Sequence, residues 1–262
     1  MKLLLFCLII IALFVFLWFK NNNVYLDLKS FFKKGFKKID SEFGLYCFCG
    51  KQGKGKTFSS CKFCIDRLKH NIDTIMITNV FSLKLPDYQD RIMYEANIFT
   101  IMELAIRLKD AGKDVLIFYD EIFTIITKNN DIGKETRSFI SQLRKRQIVF
   151  VTTAQEWGEI NITFRKYVRF KVDCNMLSLP FSHNAFSINK VCDGETVHWN
   201  ELIQDFDNDV ISTNIFKCSL KVAQSYDTFE TIQVDTSKRQ PVGAKGTKYL
   251  VEQSHQGKKA TT

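Results

Sequence analysis

The sequence has 262 residues, 45% hydrophobic and 25% charged, with only 3 Pro and 12 Gly. That composition suits a chain that buries one substantial core, and it excludes a collagen-like, linker-dominated or largely disordered protein. Eight Cys are too dilute for a disulfide-stapled secreted scaffold. The formal charge of +9 is unevenly spread: six lysines from Lys20 to Lys38 stand against Asp27, six Lys/Arg after Thr236 stand against Glu252, and the rest holds 25 basic against 26 acidic residues. A near-neutral body with basic flanks excludes a protein that coats nucleic acid uniformly.

In chain order, the first element is the unbroken apolar run of 17 residues from Leu3 to Phe19. As a helix it extends about 26 Å, enough for a thin bilayer core. A cleavable signal peptide would need a shorter core and a small-residue exit site, and Trp18-Phe19-Lys20-Asn21 offers none. The run is therefore predicted to be a retained single-pass transmembrane anchor. Lys20, Lys29, Lys33, Lys34, Lys37 and Lys38 follow it, against Lys2 before it, so the positive-inside bias keeps the body in the cytoplasm, at a host inner or cytoplasmic membrane. The interleaved Phe31-Phe32-Lys33-Lys34-Gly35-Phe36-Lys37-Lys38 fits either a segment lying on an anionic membrane or a solvated linker.

Gly44 to Cys49 reads as a short buried strand running into Gly50-Lys51-Gln52-Gly53-Lys54-Gly55-Lys56-Thr57, which matches G-x-x-x-x-G-K-[ST]. Backbone N–H groups of such a loop curl around phosphate oxygens, Lys56 reaches the terminal phosphates, and the Thr57 hydroxyl ligates Mg²⁺. Phe58 to Lys69 is a predicted helix that turns its amino end to the phosphates. Asp114-Val115-Leu116-Ile117-Phe118-Tyr119-Asp120-Glu121 reads as a buried strand with acids at its carboxyl end, where ligands sit in parallel α/β sheets. Asp120 is placed to hold Mg²⁺ and Glu121 to polarise the attacking water.

Next comes a helix with Ile132, Thr136, Phe139, Ile140 and Leu143 on one side, closing in Arg144-Lys145-Arg146. Those cations suit a helix carboxyl end. Arg137, Arg144 and Arg146 are also candidate arginine fingers for a neighbouring subunit's nucleotide, and the sequence does not choose among them. The strand Ile148 to Thr153 ends in Ala154-Gln155, with Gln155 either a γ-phosphate sensor or a loop amide.

These residues resemble the zonula occludens toxin-like ATPases, the assembly or export ATPases of filamentous phages within the FtsK/HerA class of DNA pumps. GKQGKGKT, VLIFYDEI and the helix followed by QIVFVTTAQ carry the resemblance over roughly Phe43 to Lys171. Lys221-Val222-Ala223-Gln224-Ser225-Tyr226-Asp227-Thr228-Phe229-Glu230 looks like the short segment that closes such domains. The resemblance implies a P-loop sheet whose two motif strands are separated by another strand, with phosphate binding by Gly50 to Thr57, Mg²⁺ at Thr57 and Asp120, catalysis by Glu121 and sensing by Gln155. It also implies a homo-oligomer such as a hexameric ring, with phage or plasmid DNA and other phage assembly proteins as partners. Many relatives place their membrane span after the ATPase domain, whereas here the apolar run comes first.

The expected organisation is thus an anchor over residues 1–20, a basic juxtamembrane linker over 21–42, an α/β P-loop ATPase domain over 43–235 with a small antiparallel addition at its carboxyl side, and a flexible basic tail over 236–262. ATP and Mg²⁺ are the expected cofactors. The expected activity is ATP hydrolysis driving phage assembly and DNA extrusion. Two alternatives stand beside it: a packaging or conjugation-type DNA translocase, and a nucleotide-binding membrane scaffold that recruits partners. Glu121 beside Asp120 argues against the scaffold, since a pure switch has less need of a second acid.

Three further features each admit more than one reading. Cys47-x-Cys49 with Cys61-x-x-Cys64 has the count for a zinc tetrahedron, but buried thiols are the preferred reading. Arg165 to Lys171 alternates basic and apolar residues, as a half-exposed strand would, with a cationic face that either tracks DNA or blunts a sheet edge. Asp193-Gly194 between Ala185–Cys192 and Thr196–Trp199 is a hairpin signal.

Overall fold

The structure is a computed structural model that describes residues 2–21, 42–126, 133–178, 185–200, 205–207 and 209–227. The basic segment over 22–41, Ile132, Thr228-Phe229-Glu230 and the tail lie outside the described residues. The first element is helix α1 (Lys2–Asn21). Its apolar side chains from Phe6 to Leu17 are exposed, and Trp18 packs against the small cluster of Leu177 and Ile188. Among the described residues no helix is long and apolar enough to cross a membrane, and the described side chains of α1 run only from Phe6 to Trp18.

The body is built on an eight-stranded sheet, ordered β10-β7-β6-β1-β5-β4-β2-β3. The strands are β1 (Gly44–Cys49), β2 (Thr74–Thr78), β3 (Ile92–Tyr94), β4 (Asp114–Tyr119), β5 (Ile148–Ala154), β6 (Val168–Ser178), β7 (Ala185–Asp193) and β10 (Val210–Lys217). From β3 to β6 every neighbouring pair is parallel, and β7 runs antiparallel to both β6 and β10. As the resemblance implies, β5 separates the loop-bearing β1 from the acid-bearing β4.

Parallel strands must be covered on both faces, so their sequences read as continuous apolar runs. Alternate side chains divide between two cores. Leu45, Cys47, Val115, Ile117, Tyr119, Ile148 and Phe150 point one way, onto α3 (Ile98–Asp110) and α4 (Lys134–Gln142). Tyr46, Phe48, Leu116, Phe118, Val149 and Val151 point the other way, onto Phe58, Cys61, Phe63, Cys64 and Leu68 of α2 (Lys56–His70). Helix α3 starts where the Asn97 side chain accepts from the Phe99 and Thr100 N–H groups at 2.9 and 3.3 Å. Its buried residues Ile98, Ile101, Met102, Leu104, Ala105 and Leu108 follow the spacing of one broad helical face.

Two sequence expectations are corrected. The segment Arg165–Lys171 is not a solvated edge. Arg165 ends the short helix α5 (Ile162–Arg165), and β6 is flanked by β1 on one side and β7 on the other. Arg169 is engaged by Glu42 and by the Phe43 carbonyl at 2.8 Å. Lys171 is 5% exposed, 3.0 Å from Asp173 and 5.8 Å above the Trp157 ring. Burial opposes the Lys171 charge, but the Asp173 carboxylate outweighs it and holds the pKa above the ordinary lysine value. The alternation therefore reports an internally neutralised strand.

Asp193-Gly194 does not join a β-hairpin between the two runs that flank it. The antiparallel partners of β7 are β6 and β10. The chain turns at Asp193, leaves the sheet, and β8 (His198–Asn200) pairs with β9 (Asp205–Asp207), where Trp199 meets Phe206 edge-on at 5.2 Å. Glycine is required at 194 by close approach: a Cβ there would lie 2.0 Å from the Val168 carbonyl oxygen.

Replacing Asn97 with Ala removes the α3 cap and is expected to cost about 1 kcal/mol, with Asn97→Ser retaining most of the stability. Urea unfolding of the two variants measures this directly.

Candidate functional site

The loop after β1 is shaped by its glycines. A Cβ on Gly50 would sit 2.8 Å from the Cys174 carbonyl oxygen, and Gly55, at φ 77, would push one to 2.7 Å from Met176 Cε. The Gly50 N–H donates to the Ala154 carbonyl at 3.3 Å, and the Lys54 N–H to the Lys51 carbonyl at 3.1 Å. Gly55 is the residue before α2 and gives it no side-chain cap. The first N–H groups of a helix lack intrahelical partners, and the helix dipole favours an anion there.

At the end of β4, Asp120 is 5% exposed. It accepts from the Thr57 hydroxyl at 3.2 Å through Oδ2 and from the Thr153 hydroxyl through Oδ1. Burial pushes its carboxyl up to about 6, aided by the neighbouring Glu121 carboxylate, while the Thr153 and Thr57 hydrogen bonds and the Lys56 charge pull it down. Glu121 has φ 55, one of two non-glycine residues with positive φ among the described residues. Such backbone costs about 1 kcal/mol or more and persists where its surroundings hold it.

These groups share a cavity of about 580 Å³, a volume that suits a small-molecule ligand. Gln52, Gly53, Gly55, Lys56, Thr57, Asp120, Glu121 and Gln155 line it. Gly50, Lys51 and Lys54 are not among the lining residues and form the frame of the loop. The Thr57 hydroxyl and Asp120 carboxylate are hard oxygen donors in contact across the strand order, a set that fits Mg²⁺.

The remaining wall was not foreseen as part of the site. Val80, Met176, Cys218, Ala223, Tyr226 and Asp227 line the same cavity. The last three belong to the segment that the resemblance marks as closing the domain. Helix α6 (Leu220–Ala223) buries Val222 against the α2 core. The residues after it are clipped to the loop following β2: the Lys84 N–H donates to the Ser225 carbonyl at 2.6 Å and the Asp227 N–H to Ser82 Oγ at 3.0 Å. Burial raises the pKa of the Tyr226 hydroxyl, and nearby Cys61 and Asp120 add to the shift.

The arginines lie elsewhere within one chain. Arg144 Cγ is 3.5 Å from where a Gly44 Cβ would be, at the amino end of β1. Arg146 bonds Gln142 at 3.1 Å and lines a separate cavity of about 410 Å³ between α3 and α4. Both precede β5, whereas Gln155 follows it, and seven strand residues extend about 20 Å. Arg137, on α4, does not line the phosphate-loop cavity either. None of the three reaches the site of its own chain.

The cysteines do not form one tetrahedron. Cys47 and Cys49, with Sγ atoms 3.6 Å apart, face the α3 core, whereas Cys61 and Cys64 face the other. Among the described residues no group of three or more His, Cys, Asp or Glu is arranged to hold a metal ion. Burial drives the Cys61 and Cys64 thiols upward, as it suits buried neutral groups.

No family model and no curated protein matches the sequence. Among solved structures, the chain is similar to the N-terminal domain of zonular occludens toxin from Neisseria meningitidis, at 14% identity and TM-score 0.44 over 70% of this chain and 98% of that one. It is also similar to the genome packaging NTPase B204 from Sulfolobus turreted icosahedral virus 2 in complex with ATP-gammaS, at 12% identity and TM-score 0.41 over 50% and 73% of the two chains. A third is the flagellar accessory protein FlaH from Methanocaldococcus jannaschii, at 11% identity and TM-score 0.43 over 66% and 89%.

The buried Asp120 generates a pH prediction. Its folded pKa lies above the unfolded value, so the native state holds the extra proton. In the metal-free protein this group costs stability as pH rises from about 4 to about 6, and the cost is absent below that window. A divalent cation held by this carboxylate would require its ionised form, so the affinity of a nucleotide bound through Mg²⁺ is expected to weaken up to about tenfold for each pH unit below about 6. Titration of a fluorescent ATP analogue at several pH values tests this, and Asp120→Asn should abolish the dependence while raising metal-free stability at neutral pH.

Proposed function

We propose that the chain is a membrane-anchored ATPase that hydrolyses ATP to drive filamentous phage assembly and DNA extrusion. The hydrolytic half of this reading is carried by one observation: the 3.2 Å bond from Thr57 to Asp120, which joins the phosphate loop to the acidic strand end in a cavity that also holds Lys56, Glu121 and Gln155.

The N–H groups at the start of α2 and the Lys56 ammonium bind the phosphates and neutralise their charge. Thr57 and Asp120 would hold Mg²⁺, which supplies charge neutralisation at the β- and γ-phosphates. The Glu121 carboxylate orients the attacking water and takes its proton as the water oxygen bonds to the γ-phosphorus and the bond to the ADP oxygen breaks. Gln155, which follows β5 and lines the same cavity, would contact the γ-phosphate or that water. Transition-state charge would be met by Arg144 or Arg146 of a neighbouring subunit, since neither lines the cavity of its own chain.

The coupling to DNA and to other assembly proteins follows the motif resemblance. The membrane assignment follows the apolar run Leu3 to Phe19 and the lysines after it. The exposed apolar side chains of α1 are suited to lipid contact.

Lys56→Ala is expected to lose nucleotide binding and turnover together. Glu121→Gln should keep binding and lose about 100-fold or more of turnover. Steady-state hydrolysis by the detergent-solubilised chain, without DNA and with single- or double-stranded DNA, tests the reading. Stimulation by single-stranded DNA favours extrusion, and stimulation by duplex favours a packaging or conjugation-type translocase. Binding without turnover in every condition supports the scaffold. For the anchor, the full chain should stay in the membrane fraction through alkaline carbonate extraction, and deletion of residues 2–21 should release it.

A further inference from the structure

Asp120 and Glu121 follow the last ladder residue of β4, Tyr119, so the backbone between them has no strand partner of its own. Two buried side chains from the flanking strands take that place. Asn79 follows β2, which pairs with β4 on one side, and Thr153 belongs to β5, which pairs with it on the other.

Asn79 is 1% exposed. Its Oδ1 accepts the Asp120 N–H at 2.8 Å, and its Nδ2 donates to the Asp120 carbonyl at 3.1 Å. A backbone N–H only donates and a carbonyl only accepts, so this reciprocal pair also fixes which way the amide points. Thr153 is fully buried. Its hydroxyl accepts the Glu121 N–H at 2.9 Å and donates its own hydrogen to Asp120 Oδ1. One hydroxyl thus ties the carboxylate of Asp120 to the left-handed turn at Glu121, while Asn79 grips Asp120 at both its N–H and its carbonyl, so that the Asp120–Glu121 peptide is held by its carbonyl at Asn79 and by its N–H at Thr153.

Neither Asn79 nor Thr153 is among the residues lining the cavity. We propose that they are positioning residues of the ATPase, forming a two-sided bracket that sets the Asp120 carboxylate for metal and aims Glu121 at the water. The inference rests on the hydrolytic reading above and names the residues on which its geometry depends. Nothing in the local sequence marks Asn79, which stands 41 residues before Asp120 and meets it only because β2 and β4 pair.

The test uses the full chain and the variants Asn79→Ser, Thr153→Val and Thr153→Ser. Mn²⁺-dependent binding of a fluorescent ATP analogue, binding without metal, turnover and melting temperature are read for each. In folded Asn79→Ser and Thr153→Val, metal-free binding should stay within about twofold of wild type, and half-maximal binding should need about tenfold or more Mn²⁺, the usual cost of removing a group that orients a ligand. Turnover at saturating nucleotide and metal should fall about tenfold or more, and Thr153→Ser should recover most of both losses. A purely structural role would lower the melting temperature and leave the Mn²⁺ requirement and turnover of the folded fraction at wild-type levels, and that result overturns the proposal. Equal impairment of Thr153→Ser and Thr153→Val overturns it as well. Should Thr153→Val fail to fold, Asn79→Ser carries the same comparison. If wild type binds nucleotide with Mn²⁺ but does not hydrolyse it, the ATPase reading fails while the Mn²⁺ comparison still decides the bracket. Wild-type binding that Mn²⁺ does not strengthen would overturn the bracket, while turnover would still decide the ATPase reading.

Discussion

A buried carboxylate is the constraint on which the rest of this molecule depends. Taking the Asp120 charge out of water is costly unless hydrogen bonds or a cation compensate it. The fold surrounds it with the Thr57 and Thr153 hydroxyls and, nearby, the Lys56 ammonium. Thr57 comes from the loop after β1, Thr153 from β5 and Asp120 from the end of β4, so the three meet only in a sheet ordered β1-β5-β4. The strand order and the site are thus one physical statement.

The parallel sheet supports this arrangement by being covered on both faces. Side chains of β1, β4 and β5 alternate between the α2 core and the α3/α4 core, which leaves the carboxyl ends of the strands as the open face where backbone N–H groups and acids converge. The antiparallel strands contribute as well. Cys174 and Met176 on β6 press against the loop at Gly50 and Gly55, and the chain leaving β10 crosses back to line the cavity with Ala223 and Tyr226. The charge pattern agrees with this division of labour. Body cations such as Lys171 and Arg169 are paired locally, and the unbalanced positive charge sits in the segments before and after the body.

What could be read in advance depended on whether the signal was local. The loop Gly50 to Thr57, the acidic end at Asp120 and Glu121, and the strand ending before Gln155 carry their signals within a few residues, and the structure assembles them in one cavity. The five residues Thr74–Thr78 of β2 are too short to declare themselves by period, so the strand that presents Asn79 was not foreseen. Asp193-Gly194 and Arg165–Lys171 misled for a different reason. A glycine demanded by a neighbouring backbone looks the same as one demanded by a turn, and an alternating basic strand looks exposed until both of its edges are paired.

By itself, the sequence determined the chemistry on offer: an apolar amino-terminal run, a glycine- and lysine-rich loop opening a helix, and paired acids ending a buried strand. These follow from residue type and short-range spacing, which no folding step alters. Only the tertiary structure decided which partners each group meets: Asn79 and Thr153 on the Asp120–Glu121 peptide, Tyr226 in the cavity wall, and Arg144 and Arg146 at the opposite end of the sheet. Those outcomes depend on strand order and on contacts between residues dozens of positions apart, and a hydrogen bond is set by the distance between its atoms, whatever their separation along the chain.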